Sequence, residues 1–258
     1  MTRSRRMVND TEQMNFWDHL DVLRGTLFRS VLAVCICSCF GLIFKDILFE
    51  GIILAPTRPG FCVYQLLGWD FSMSLINVEI SAQFFVHIKA AVLSGLVFAF
   101  PYIIWEIWKF VAPALYAGEK KSLRLAFSLS SLLFYLGALV GYFIVLPVCF
   151  HFFMSYTVSD MVANTITLNS YISMFITMVL MIGLVFEFPT IVLALSQLGI
   201  LSKEHLRQGR KIAFVVILII AAFITPADPV SMFVLASPMY LLYELSIVLC
   251  SSQKNPQQ

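Results

Sequence analysis

Two carboxylates in this 258-residue chain, Glu119 and Glu187, stand where an acidic side chain has chemistry open to it. Glu119 closes the stretch Trp105-Glu-Ile-Trp-Lys-Phe-Val-Ala-Pro-Ala-Leu-Tyr-Ala-Gly-Glu119-Lys-Lys, a polar and aromatic segment between two long apolar runs. Amphipathic rings such as Trp105, Trp108 and Tyr116 favour a membrane–water boundary. Pro113 has no N–H with which to continue a helix, and Gly118 permits a sharp turn. The stretch therefore reads as a short structured loop at a membrane surface, with an acidic corner beside Lys120 and Lys121. A carboxylate so placed can pair with a cation. The competing reading is a connector whose lysines only set topology. Glu187 differs, because it lies deep in an apolar run, where a charge costs on the order of 2.5–3.5 kcal/mol on insertion scales. It is protonated, or faces a wet cavity, or has a polar partner. A single Glu bonded to Ser or Thr inside the fold fits the same pattern.

Composition says what must hold these groups. Hydrophobic residues make up 60% of the chain and charged ones 12%, against roughly a quarter charged in soluble domains. The expected class is an all-α, polytopic membrane protein. Apolar runs over 27–44, 84–107, 125–150, 169–197, 212–225 and 230–250 predict six transmembrane helices in one integral membrane domain, 1–258. The fifth is short, about fourteen residues or ~21 Å at 1.5 Å per residue, against a hydrocarbon core of ~30 Å. Residues 1–26 read as a cytoplasmic segment in which Phe16, Leu20 and Leu23 recur at helical spacing, a short amphipathic helix lying along the membrane face. Residues 27–250 form the bundle and 251–258 a polar tail. Residues 45–83 carry Pro56, Pro59, Gly60 and Gly68 and read as an external cap of short helices and turns.

Lysine and arginine choose the side. With six spans, all but Lys45, Arg58 and Lys89 fall on one side or at its helix ends, and the positive-inside rule then places both termini in the cytoplasm. Lys89 sits near the outer end of its span, close enough to snorkel. The six cysteines show no metal-ligand spacing and read as small apolar fillers, with Cys62 a free thiol in the cap. His151 and His205 read as isolated. No His-Glu-x-x-His, Gly-x-Ser-x-Gly or Walker pattern is present, so the expectation is a non-enzyme without cofactor, metal or nucleic-acid partner.

Several motifs, taken in order, carry a resemblance. Phe110-x-x-Pro113-x-Leu-Tyr-x-x-Glu119-Lys-Lys follows a tryptophan-bearing helix. Asp18-His19-Leu20-Asp21-Val22-Leu23-Arg24 and Ala55-Pro56 precede it, and Gly183-Leu-Val-Phe-Glu187-Phe-Pro189 and Ile224-Thr225-Pro226-Ala-Asp228 follow. Over about residues 16 to 248 the chain resembles the TatC family, the multi-span receptor subunit of the twin-arginine (Tat) protein translocase.

The resemblance implies a receptor in the bacterial cytoplasmic (inner) membrane. It would bind twin-arginine signal peptides of folded cargo through Glu119, Phe110, Pro113, Leu20, Asp21 and Arg24. It would meet single-span partner subunits of the TatA/TatB type through Glu187 and Thr225, in an oligomeric complex surrounded by membrane lipid and driven by the proton gradient. Pro56, Pro189 and Asp228 would be structural, Asp228 by holding a tight turn through side-chain-to-backbone bonds. One departure matters. The family pattern His-Leu-x-Glu-Leu-Arg has Val22 at its glutamate, and Asp21 stands about 100° away around the helix. Two rival readings remain open on the residues, a proton-coupled secondary transporter using Glu187 and a structural scaffold for other membrane subunits.

Overall fold

A computed structural model describes residues 16–69, 72–112, 120–157, 159, 164–197, 200–225 and 229–250, and they are almost entirely helical. The chain begins with α1 (Phe16–Ile43) and continues, after one turn, into a wide π-type helix (Ile47–Ile53) and a 3-10 turn (Ala55–Thr57). Then come α2 (Cys62–Leu67), β1 (Leu75–Ile76), α3 (Ala82–Val111) and α4 (Lys120–Val140). A second π-type stretch (Gly141–Val145) leads into α5 (Leu146–Ser155), followed by β2 (Ile166–Thr167), α6 (Leu168–Val185) and α7 (Phe188–Gln197). The chain closes with α8 (Lys203–Gln208), α9 (Arg210–Ile224) and α10 (Pro229–Leu249).

Five stretches are long and apolar enough to cross a bilayer: Leu20–Ile43, Ala82–Val111, Phe127–Ser155, Leu168–Ser196 and Pro229–Val248. The fifth expected span, α9, has only 15 residues and falls short of the ~20 a straight crossing needs. The separate amphipathic helix expected over Phe16 to Arg24 is not seen. Helix α1 runs unbroken through Gly25 into the apolar stretch. Gly25 costs a helix only about 1 kcal/mol, and no proline interrupts this stretch, so nothing ends the helix where the polar segment stops. The boundary drawn at 26/27 lies inside a helix.

The cap over 47–76 is built as expected from short distorted helices, with one addition, a parallel pairing of Leu75 with Ile166 and Ile76 with Thr167. Irregular backbone beside apolar helices must find internal partners for its carbonyls. Three tyrosines supply them. Tyr171 Oη donates to the Ile53 carbonyl at 2.6 Å, Tyr142 Oη to Ile52 at 2.8 Å and Tyr64 Oη to Pro56 at 3.0 Å. Pro56 is thus fixed at the 3-10 turn with its carbonyl used. Burial pushes the Tyr64 phenol well above its ordinary pKa, which keeps it protonated and able to donate. Tyr171 is fully buried, so Tyr171→Phe strands the Ile53 carbonyl and should cost about 1–3 kcal/mol. Thermal unfolding in detergent checks this against Tyr156→Phe, an exposed site expected to be neutral.

Prolines inside helices α3 and α10 are handled in the same way. A proline removes the hydrogen bond to the carbonyl four residues earlier. For Pro101 that carbonyl is Val97, and it accepts from Tyr135 Oη on α4 at 3.1 Å. For Pro238 it is Val234, which accepts from Ser237 Oγ at 3.1 Å.

The helices pack closely where glycine lets them. Gly95 on α3 lies against the backbone of α1, where a Cβ would come within 2.7 Å of Ser38 N and the Val34 carbonyl. Gly183 on α6 faces the Phe134 ring of α4, which in turn stacks on Phe100 of α3 with centroids 3.6 Å apart. Small residues at helix crossings are how backbones approach in a solvent as apolar as the side chains. Helix α1 rests on α3 and makes no other extended contact among the described elements, whereas α3, α4 and α6 share one core.

Candidate functional site

One end of the α1–α3 pair is held by charge. Arg29 on α1 places both Nε and a terminal guanidinium nitrogen 2.8 Å from Glu106 Oε2 on α3. Lys109 Nζ, one turn further along α3, lies 3.2 Å from Glu106 Oε1 and 3.4 Å from the centre of the Trp105 ring. Thr26 Oγ1 accepts from Arg29 at 3.4 Å. Glu106 is 1% exposed while Arg29 and Lys109 are each about half exposed. The carboxylate is covered by its own partners and by the facing helix, and both of its oxygens are occupied. Arg29 in the first apolar run and Glu106 near the end of the second are opposite charges at the same level of antiparallel helices. Opposite charges at matched levels of two antiparallel apolar runs are the sequence signal for the pair. Glu106 and Glu187 are thus both buried acids of the apolar helices.

Glu187 itself sits where α6 gives way to α7. Phe186 and Glu187 form a turn, with Glu187 N donating to the Leu184 carbonyl at 3.1 Å and the Glu187 carbonyl accepting from Ile191 N at 3.0 Å to start α7. Pro189 falls in the first turn of α7, where its missing N–H is not needed. The near-identical Gly95-Leu-Val-Phe-Ala99-Phe-Pro101 runs on as unbroken helix, so the break is not written in the proline pattern alone. The Glu187 side chain is 7% exposed, and Ser130 Oγ on α4 donates to its Oε2. Thr190 lies beside the carboxyl, yet Oε1 is buried without a hydrogen-bond partner among the described residues. A buried polar atom left in this state is costly and rare. The Ser partner was one of the sequence alternatives; the unfilled second oxygen was not foreseen.

The remaining predicted residues divide by place. Leu20, Asp21 and Arg24 lie exposed on the first turns of α1, and Phe110 is half-buried near the end of α3. Because α1 and α3 are antiparallel and joined at Arg29–Glu106, these two groups stand at the same end of one helix pair. Pro113, Glu119 and Asp228 lie outside the described residues. Thr225 is buried, but its hydroxyl donates to the Ala221 carbonyl of its own helix at 3.0 Å, and no hydrogen bond joins it to Glu187 among the described residues.

Other expectations gain detail. Lys89 donates to Asn169 Oδ1 at 2.9 Å. His151 is not isolated, since its ring stacks on Trp69 with centroids 4.0 Å apart. His205 is not isolated either; its Nδ1 is 2.8 Å from Ser202 Oγ, the N-cap of α8, so the expected basic loop contains a short helix. None of the six cysteines is in a disulfide; Cys62 is exposed, and Cys250 Sγ lies 3.0 Å from Ser196 Oγ.

Five apolar helices of membrane length, with a helix pair clasped by charge and a buried carboxyl at a helix break, define a multi-span membrane protein. The family model described as Sec-independent protein translocase protein (TatC) matches residues 18–238, and the chain belongs to this family. A TatC protein of Blattabacterium sp. subsp. Periplaneta americana is 34% identical over 256 residues, covering 93% of this chain and 96% of the relative. The TatC protein of Aquifex aeolicus is 32% identical over 237 residues, covering 92% and 94%. A crystal structure of a twin-arginine translocase receptor, TatC, in the detergent DDM superposes with a TM-score of 0.77 at 32% identity, covering 90% of this chain and 99% of that one. The chain is thus a membrane component of a protein-transport machine.

Proposed function

We propose that this protein is the twin-arginine signal-peptide receptor and core subunit of a translocase that exports folded proteins across the bacterial cytoplasmic membrane. One observation carries the reading. The ion pair at Arg29–Glu106 gathers, at one end of the α1–α3 pair, the exposed Leu20, Asp21 and Arg24 and the Phe110 end of α3 from which the Glu119 segment continues. That is where a peptide reading both segments would lie. The likeness to a solved twin-arginine translocase receptor supports the same assignment.

In this reading the chain forms a single membrane domain with six spans and both termini in the cytoplasm. Helix α9 crosses as a short fifth span, and the cap over 47–76 faces outward. A twin-arginine peptide presents two guanidinium groups, which pair best with carboxylates through charge-assisted, often bidentate hydrogen bonds. Glu119 is the acid for one of them, and Phe110 and Pro113 shape the platform beside it. Val22 leaves the second acid to Asp21, or leaves Glu119 to act alone. Glu187, with Thr225 on the neighbouring helix, meets the transmembrane helices of single-span partner subunits, Pro189 and Asp228 keep the turns, and the proton gradient supplies the energy.

Glu119→Ala should weaken binding of a twin-arginine peptide, and Glu119→Lys should weaken it further through like-charge repulsion, by tenfold or more for the loss of one charge-assisted pair of about 1.5–3 kcal/mol. Peptide titration of the purified protein measures both, with a twin-lysine peptide as control. Equal affinity of wild type and Glu119→Lys would sink the receptor assignment.

A further inference from the structure

We propose that the Arg29–Glu106–Lys109 cluster is a positioning clasp for signal-peptide recognition, which fixes the inner end of α1 on α3 and thereby the spacing between the two peptide-reading segments. The proposal rests on the receptor reading above, which takes the Arg29–Glu106 pair only as a fact of placement, and it gives that pair, with Lys109, a role in recognition. Glu106 and Arg29 act here through other residues and are not offered as contacts to the peptide.

Three observations lead to it. First, among the described elements α3 is the one with which α1 makes an extended contact, so the α1–α3 seam is the main determinant of its angle. Second, the close crossing of the two helices is made by small residues, Gly95 against Ser38 and Val34, and Gly41 against Ala91. Ser38 is nine residues from Arg29, roughly 13 Å along the helix at 1.5 Å per residue. A smooth crossing of that kind is a pivot about which the inner end of α1 can swing. Third, at that inner end Glu106 is 1% exposed and accepts from Arg29 with one oxygen and from Lys109 with the other.

The three groups are not equivalent. Arg29 approaches one oxygen with two nitrogens at 2.8 Å, which fixes direction as well as distance, as a guanidinium does and an ammonium does not. Lys109 belongs to the same helix as Glu106 and rests on the Trp105 ring, so it holds the carboxylate in its rotamer without joining the helices. Arg29 is therefore the strut, Glu106 the anchor and Lys109 the brace. Asp21 and Arg24 stand eight and five residues before the strut, and Phe110 stands four residues after the anchor. A small rotation at the clasp becomes a displacement of several ångströms between the two peptide-reading segments, which misplaced carboxylates and platform cannot recover.

The test uses the full-length protein with its partner subunits and reads position and affinity separately. Spin labels at Leu27→Cys and Ile107→Cys, in a background with the native cysteines replaced, give the α1–α3 distance distribution; both sites are exposed and neither belongs to the clasp. Titration with a twin-arginine peptide gives affinity. Glu106→Gln and Arg29→Gln should each broaden the distance distribution and lower affinity by about tenfold, as expected when one member of an occluded charge pair is removed. The exchange Arg29→Glu with Glu106→Arg, made together with Lys109→Gln so that no like charges face each other on α3, should bring both readings back toward wild type. Lys109→Gln should broaden the distribution and lower affinity less than Arg29→Gln does, because Lys109 does not join the helices.

Since Arg29 is half exposed, Arg29→Gln remains informative even where Glu106→Gln fails to fold. An unchanged distance distribution in Arg29→Gln overturns the clasp. A broadened distribution with unchanged affinity shows a structural bond with no part in recognition, which also overturns the proposal. If wild type fails to distinguish twin-arginine from twin-lysine peptide, the receptor reading fails by itself, while the spin-label distances still judge the clasp.

Discussion

Glu187→Ala should abolish export of a folded twin-arginine reporter, while Glu187→Gln should keep most of it. The geometry dictates the difference. Ser130 fills one oxygen of the buried carboxyl and nothing described fills the other, so the side chain has a hydrogen-bonding position to offer a neighbour. An amide has the same shape and both donates and accepts, so glutamine can make both bonds. Alanine leaves Ser130 and the incoming partner unpaired, at a cost of about 1–3 kcal/mol for each stranded group. The proton-coupled transporter reading makes the opposite prediction. A carboxyl that must exchange its proton in every cycle is disabled by the amide as thoroughly as by alanine. Export measured at matched membrane levels separates the two. Gln as inactive as Ala would end the hydrogen-bonded-contact mechanism and favour proton coupling.

The helices were legible because their cause is local. Long apolar runs bounded by charge can become little other than membrane-length helices, and four of the five observed crossing stretches begin within about three residues of their expected starts, while the first extends further back. The exception, α1, fails for an equally local reason. Amphipathic periodicity over Phe16 to Arg24 marks a helix but contains no stop signal, and a helix with no stop continues. The short fifth helix was readable from its length, and the structure keeps it at 15 residues.

What the sequence hid depends on contacts between helices. Pro101 and Pro189 occupy near-identical heptapeptides, yet α3 passes through one and the chain breaks before the other. At Pro101 the freed Val97 carbonyl finds Tyr135 on a helix far along the chain, a rescue no periodicity announces. Glu106 was overlooked for the same reason. It lies near a helix end beside Lys109, where a charge looks solvated, and the antiparallel approach of α1 with Arg29 helps bury it. Nor does the sequence mark Ile52, Ile53 and Pro56 as the acceptors of Tyr142, Tyr171 and Tyr64, since each bond joins residues that only the fold brings together.

Gly95→Val should be the most damaging single substitution outside the charged residues. The added Cβ would stand 2.7 Å from Ser38 N and from the Val34 carbonyl. Both are backbone atoms of α1, and no rotamer change moves them aside. The two helices must separate, which also loosens the Gly41–Ala91 contact along the same face. Overpacking usually costs about 1–3 kcal/mol, and a backbone-to-backbone clash belongs at or above the top of that range. Gly183→Val clashes instead with the Phe134 ring at 2.8 Å, a side chain that can turn at the expense of its stack on Phe100. It should therefore be the milder of the two. Gly60→Ala meets nothing within 4 Å and should be neutral. Since α3 provides the one extended contact of α1 among the described elements, its release from α3 should leave the N-terminal helix open to protease while α3, α4 and α6 stay packed. Limited proteolysis and thermal midpoints in detergent, compared across the three variants, check the order. A Gly95→Val protein as stable as Gly60→Ala would mean that α1 is held to α3 by the Arg29–Glu106 pair and lipid rather than by close packing.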